Sequence, residues 1–220
     1  MKRIIAITCT VCVLFVLAGV AAAHQKGRKS TARLAQKAVY DKANVIKKTL
    51  KYEYDAAGKR VKKLIYDKNN NLAQYHVYTY KTDGKRDKKH IYSGADVLEK
   101  YYVYVYGEQG LREKKLIYNA QDKLTAYYVY SYNAGNKRVK KDIFNTADTL
   151  QEFQTYEYND QGRKNKKSVF DVQKKCKKYM LYEYDKQGNK VKKSVYDSEK
   201  NLLEYGLYTY ETMDKAGLSK

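Results

Sequence analysis

Between Tyr40 and Tyr210 the chain runs in short segments rich in β-branched and aromatic residues, separated by polar stretches. Val61 to Tyr66 and Tyr75 to Tyr80 are two such segments, and the residues between them include Asp67, Asn69, Asn70 and Asn71. That is the pattern of strands joined by turns. The segments return at a fixed interval of 26 residues: Tyr52, Tyr78, Tyr104, Tyr130, Tyr156, Tyr182 and Tyr208 form one column. A second column is Tyr54, Tyr80, Tyr106, Tyr132, Tyr158, Tyr184 and Tyr210. A Lys-Lys pair recurs at Lys62-Lys63, Lys88-Lys89, Lys114-Lys115, Lys140-Lys141, Lys166-Lys167 and Lys192-Lys193, followed by Tyr66, Tyr92, Tyr118, Phe144, Phe170 and Tyr196. Columns that align without insertion mean that one supersecondary unit is repeated. With two strands per unit, the pattern predicts an all-β fold of tandem antiparallel β-hairpin repeats. It comprises about six and a half copies and about thirteen strands, in an extended or curled meander sheet.

The turns carry their own signature. Asp55-Ala56-Ala57-Gly58 and Asp185-Lys186-Gln187-Gly188 place Asp first and Gly fourth, as in a type I turn closed by a left-handed residue. Gly58, Gly84, Gly110, Gly162 and Gly188 hold the fourth slot and Asn136 replaces Gly once. Asn is the side chain that best tolerates that conformation. The alternate connection, Asp67 to Asn71, reads as a slightly longer polar loop.

Such a turn sets a register, and the register sorts the side chains. With Asp55 opposite the Gly58–Lys59 bulge, Tyr54 is expected to face Arg60 and Tyr52 to face Lys62. The same rule pairs Tyr80 with Arg86, Tyr106 with Arg112, Tyr132 with Arg138, Tyr158 with Lys164 and Tyr184 with Lys190. It also pairs Tyr78 with Lys88, Tyr104 with Lys114, Tyr130 with Lys140, Tyr156 with Lys166 and Tyr182 with Lys192. Alternation would put all of these on one face, a lattice of phenols and cations. The other face is expected to be apolar. There Tyr75 would lie opposite Ile91, Tyr101 opposite Ile117, Tyr127 opposite Ile143 and Phe153 opposite Val169, with Val77, Val103 and Val129 alongside and Lys89, Lys115 and Lys141 interrupting.

The N-terminus changes the picture of where the chain works. Lys2 and Arg3 precede an apolar run from Ile4 to Val20, and Ala21-Ala22-Ala23 follows. This reads as a secretory signal cleaved before His24, with retention as an uncleaved anchor as the alternative. The expected organisation is a signal at 1–23, a basic leader at 24–39, the repeat domain at 40–210 and a tail at 211–220. After cleavage no transmembrane segment is expected.

The formal net charge is +21, with 26 tyrosines and no proline or tryptophan. Such a charge attracts polyanions at long range. Outside the signal the cysteine is Cys176, in a slot that other units fill with Leu. It reads as a small apolar residue. His76 and His90 would oppose each other in one hairpin, too few ligands for zinc. Neither a phosphate-cradling Gly-rich loop nor a serine elbow is present, so no catalytic centre, cofactor or metal is expected.

The motifs Tyr52-Glu53-Tyr54-Asp55 with Gly58 and Tyr182-Glu183-Tyr184-Asp185 with Gly188-Asn189 resemble the tyrosine–aspartate (YD, or RHS-type) repeats of bacterial surface and toxin-shell proteins. MORN-like hairpin repeats share the Tyr-plus-Gly rhythm. The middle units match in their Tyr and Gly positions alone, the unit is longer than the family's usual one, and no toxin domain is expected. The resemblance implies a β-hairpin sheet and a surface location, and does not imply toxicity.

Lys and Arg supply charge for phosphate, sulfate or carboxylate groups, and Tyr a flat face and a hydroxyl for sugars or bases. The expected function is a noncatalytic module binding polyanionic or glycan polymers at the envelope: acidic polysaccharide, teichoic acid, lipopolysaccharide or extracellular DNA. The candidate ligand-binding residues are the Tyr/Lys/Arg columns just paired. Lys on sheet faces also serves against aggregation, and Tyr–Lys neighbours stabilise each other. The competing expectation is therefore a structural or self-assembling scaffold, a homo-oligomer or protein binder using sheet edges and the apolar face.

Overall fold

The computed structural model describes residues 32–212. The signal at 1–23, residues 24–31 of the leader and residues 213–220 of the tail lie outside the described residues. Fourteen strands follow one another: β1 (Ala32–Asp41), β2 (Ile46–Tyr54), β3 (Arg60–Asp67), β4 (Leu72–Tyr80), β5 (Arg86–Ser93), β6 (Leu98–Tyr106), β7 (Arg112–Asn119), β8 (Leu124–Tyr132), β9 (Arg138–Phe144), β10 (Leu150–Tyr158), β11 (Lys164–Phe170), β12 (Cys176–Tyr184), β13 (Lys190–Asp197) and β14 (Leu202–Thr212). Each is antiparallel to its neighbours in sequence, and β1 pairs with β14, so the sheet is a closed barrel.

The all-β hairpin repeat is therefore the architecture, with a closed sheet in place of an open or curled one. Residues 32–39, read as leader, belong to β1, and the repeat extends past Tyr210 to Thr212. Strands β1 and β14 make the seventh unit between them. Tyr210 pairs with Leu34 in β1 as Tyr54 pairs with Arg60, and Leu34 lies one repeat before Arg60.

Local chemistry explains the turns. The Gly58 N–H donates to the Asp55 carbonyl at 2.9 Å and the Asp55 N–H to the Lys59 carbonyl at 2.9 Å. Gly58 has φ +77° and Asn136, in the same slot, φ +58°. The alternate connection is a turn of the same kind: Asn70, at φ +63°, donates to the Asp67 carbonyl at 3.2 Å. The Asp67 carboxylate accepts from the N–H groups of Asn69 and Asn71, the local bonding that suits Asp to a turn.

Both ends of a hairpin unit carry an extra residue. Tyr54 pairs with Arg60 but Glu53 with Lys62, leaving Val61 unopposed. Tyr66 pairs with Leu72 but Ile65 with Gln74, leaving Ala73 unopposed. Bulges bend a strand and increase its twist. Register shifts at every strand pairing coil this sheet until its ends meet.

Each strand contacts its two neighbours in the ring and no strand across the barrel. At standard strand spacing and tilt, fourteen strands leave roughly 27 Å between opposed backbones. The interior is a bore, not a filled core. Its apolar part is a β-branched ring of Val39, Ile65, Ile91, Ile117, Ile143, Val169 and Val195. Val39, Ile91, Ile117, Val169 and Val195 of this ring are buried, and Met180 and Tyr182 pack on the last two.

Candidate ligand-binding lumen

The inner wall is built in layers, starting from the tight-turn end. Tyr54, Tyr80, Tyr106, Tyr132, Tyr158, Tyr184 and Tyr210 each donate a hydroxyl hydrogen bond of 2.7–3.0 Å to a backbone carbonyl twenty residues earlier, those of Leu34, Arg60, Arg86, Arg112, Arg138, Lys164 and Lys190. These hydroxyls tie each hairpin to the one before it. The sequence counted these tyrosines as ligand-binding, and in the fold their hydroxyls bond to the backbone of the neighbouring strand.

The next layer is the one expected from the turn register. Tyr54–Arg60, Tyr80–Arg86, Tyr106–Arg112, Tyr132–Arg138, Tyr158–Lys164 and Tyr184–Lys190 are paired as expected. Each Arg lies over a ring of the other tyrosine column: Arg60 at 4.2 Å from Tyr52, Arg86 at 4.4 Å from Tyr78, Arg112 at 4.1 Å from Tyr104 and Arg138 at 4.2 Å from Tyr130. Lys164 lies between Tyr156 and Tyr182, and Lys190 between Tyr182 and Tyr208. Burial pushes the Tyr52 and Tyr130 hydroxyls up to about 12 despite the nearby guanidinium groups. The Nε atoms of Arg60, Arg86, Arg112 and Arg138 are buried with no hydrogen-bond partner. In the seventh unit the cation is replaced by Leu34, so the belt has one gap.

One part of the expected lattice is corrected. Tyr52, Tyr78, Tyr104, Tyr130, Tyr156 and Tyr182 pair with Lys63, Lys89, Lys115, Lys141, Lys167 and Lys193, not with the preceding lysines. The bulge at the Val61 slot shifts the alternation by one residue, which reverses every face assignment beyond it. Lys62, Lys88, Lys114, Lys140, Lys166 and Lys192 therefore lie on the outer wall. Lys37, opposite Tyr208, completes the inward lysine ring.

This ring is the feature that sequence reasoning missed, although the 26-residue recurrence of the second lysine was its signal. Burial is the first cause that lowers these ammonium groups, and like charge adds to it. Lys115 falls to about 6, with Lys141 and Lys89 as its main like-charge neighbours. Lys89 falls to about 7, and Lys37, Lys63, Lys141 and Lys167 to about 8. Lys115 Nζ sits 3.9 Å from the rings of both Tyr102 and Tyr128. Two further inward columns vary from unit to unit: Leu50, His76, Tyr102, Tyr128, Gln154, Met180, Gly206, and then Lys48, Gln74, Lys100, Ala126, Glu152, Lys178, Glu204. Gly206 makes room for Lys37, whose Cε would lie 2.3 Å from an added Cβ.

The outer wall is not the expected apolar face. Tyr75 pairs with Tyr92 and not Ile91, Tyr101 with Tyr118, Tyr127 with Phe144 and Phe153 with Phe170. Their rings stack at 4.9–5.1 Å. The isoleucines expected beside them point into the bore. Outer lysines flank the stacks, Lys62 at 4.6 Å from Tyr75 and Lys140 at 5.2 Å from Phe153. His76 and His90 are separated too: His76 pairs with Ile91 and His90 with Val77, so one faces in and the other out. Cys176 pairs with Phe170 as Leu72 pairs with Tyr66, in the leucine slot.

Among known proteins, no family model and no curated sequence matches the chain. A porin-like protein from Bacteroides vulgatus ATCC 8482 has a similar fold, with a TM-score of 0.50, 12% identity, and coverage of 82% of this chain and 99% of that one. A porin-like protein from Bacteroides uniformis ATCC 8492 gives 0.43 at 10% identity, covering 81% and 98%. The TcdB2-TccC3-Cdc42 structure gives 0.33 at 12% identity. The match covers 71% of this chain but 10% of that one, so the chain spans about a tenth of its length. At these identities the likeness concerns the fold alone.

Proposed function

We propose that this barrel is an exported, noncatalytic binding module at the cell envelope, whose inner wall of tyrosine, arginine and lysine receives a polyanionic or glycan polymer. The observation that carries the reading is the inward lysine ring. Its ammonium groups are partly desolvated and face one another, and the carboxylates of the inward columns are Glu152 and Glu204, already paired with Lys177 and Lys47. An anion brought between the ammonium groups favours their protonated form, relieves repulsion and replaces lost hydration. A linear polymer along the bore would meet several units at once, so weak contacts would add through effective concentration.

The outer wall supports a barrel standing in water. Lys62, Lys88, Lys114, Lys140, Lys166 and Lys192 lie on it at mid-strand, and each would cost about 2–4 kcal/mol at a bilayer midplane. The competing scaffold reading loses its sheet edges, because β1 and β14 are paired. What favours it is the ladder of stacked aromatics with Leu181 and Leu207 exposed beside it.

The test is anisotropy with labelled heparin or polyphosphate, for the chain without residues 1–23. Changing Arg86, Arg112 and Arg138 to Gln should weaken binding tenfold or more, whereas Lys62, Lys88 and Lys114 to Gln should change it less than twofold. Binding should fall steeply with salt as counterions are released. If the outer triple variant, or deletion of residues 24–31, abolishes binding while the inner variant keeps full affinity, the lumen is not the site.

A further inference from the structure

The inward lysines are not equivalent, and the difference marks a place on the wall. Glu204 partly offsets the repulsion at Lys37 and Lys193, and Glu152 does the same for Lys141 and Lys167. No carboxylate acts on Lys63 or Lys89, whose charged neighbours are Arg60 and Lys48, and Lys63, Arg86 and Lys100. On β4, directly across from Lys63, stands His76, which is 6% exposed. The charges that act on it are Lys63, Lys89 and Lys100, and with burial as the larger cause they hold its imidazole neutral, down to about 3.

The hydrogen bonds of His76 fix its tautomer. Gln74 Nε2 donates to Glu99 at 2.8 Å, so its Oε1 is the acceptor turned to His76 Nε2 at 2.9 Å. The imidazole proton therefore sits on Nε2. Nδ1 is then a bare lone pair, buried and without a partner, and a buried acceptor left unpaired is costly. The corresponding slot in other units holds Leu50, Tyr102, Tyr128, Gln154, Met180 or Gly206, so an imidazole stands here alone.

We infer that Lys63, His76, Lys89 and Lys100 form an oxyanion seat in the lumen wall, and that it takes a hydroxyl-bearing oxyanion, hydrogen phosphate. The ammonium groups meet the charged oxygens, and the side-chain movement that admits the ligand uncovers Nδ1 to accept the hydrogen bond of its O–H. Sulfate, a dianion like hydrogen phosphate but without that proton, leaves Nδ1 unpaired. The inference rests on the lumen reading and adds one selective site to it.

Calorimetric titration at pH 7 with inorganic phosphate and with sulfate tests it. One phosphate should bind per barrel, at least fivefold tighter than sulfate. His76→Leu, which installs the side chain that β2 carries at Leu50, should abolish the preference, and Lys89→Gln should weaken both anions fivefold or more. Lys88→Gln, the neighbour of Lys89 on the outer wall, should change either by less than twofold. Equal affinities for phosphate and sulfate, no binding of either anion, or a Lys88→Gln effect as large as that of Lys89→Gln would overturn the seat. If polyphosphate still binds the wild type through the inner arginines, the lumen reading survives that result; if it does not, both fall.

Discussion

Lys114 and Lys115 are neighbours in the chain and occupy two different solvents. Lys114 is exposed on the outer wall. Lys115 points into the bore between two tyrosine rings, and burial with like charge lowers it to about 6. The same division runs through the tyrosines. Tyr104 faces inward and is 5% exposed, whereas Tyr101 stacks outward on Tyr118. Residue type therefore says little about function in this protein. A lysine on one side of the sheet stays in water, and its neighbour on the other side is partly desolvated.

The most damaging way to erase the distinction is to open the barrel. Deleting residues 32–41 removes β1, the partner of both β14 and β2. Two edges would then be free to pair with other chains. The truncated chain should lose its cooperative thermal transition and sediment as oligomers. A monomer melting like the full chain would mean that closure contributes little to the fold.

A smaller effect separates the two lysines by pH. The folded value of Lys115, about 6, lies below its ordinary 10.5, so between those limits the unfolded chain binds more protons. Stability should therefore rise as pH increases from about 6 towards 10. Lys63, Lys89 and Lys141 are lowered as well and act with the same sign. Above pH 10 the sign reverses, because Tyr52, Tyr102 and Tyr130 are held protonated to about 12 in the fold while the unfolded chain ionises earlier. Urea midpoints across pH 6–11 should show that maximum, and Lys115→Met should flatten the rise more than Lys114→Met. A flat profile, or equal effects of the two variants, would remove the electrical difference between the walls.

The finest contrast concerns one oxygen atom. Tyr106→Phe deletes the hydroxyl that donates to the Arg86 carbonyl at 2.9 Å and should cost about 0.5–1.5 kcal/mol. On the outer wall Tyr118→Phe keeps the ring stacked on Tyr101 and should stay within about 0.5 kcal/mol. Denaturant titration of both variants measures the difference, and equal losses would contradict the architectural role of the inner hydroxyl ring.

Strand content, turn positions and the repeat were legible in the sequence because they follow from local rules. Gly58 and Asn136 occupy left-handed positions that few other side chains tolerate, and Tyr54 pairs with Arg60 because the turn between them fixes that register. What lay beyond the next bulge was not legible. The unopposed slot holds Val61, Asp87, Glu113 and Asn165 in different units, with no composition to announce it. Because strand side chains alternate with a period of two, that single extra residue exchanges inside and outside for Lys62 and Lys63 alike. Nor could the leader be recognised as half of the seventh unit, since Leu34 stands where the other units carry Arg or Lys and the basic stretch around it reads as a tail. The sequence by itself determined a repeating hairpin of tyrosine and lysine, through turn chemistry and local propensity. The tertiary structure decided that the hairpins close and which lysine of each pair is desolvated, because closure and burial depend on pairings between strands far apart in the chain.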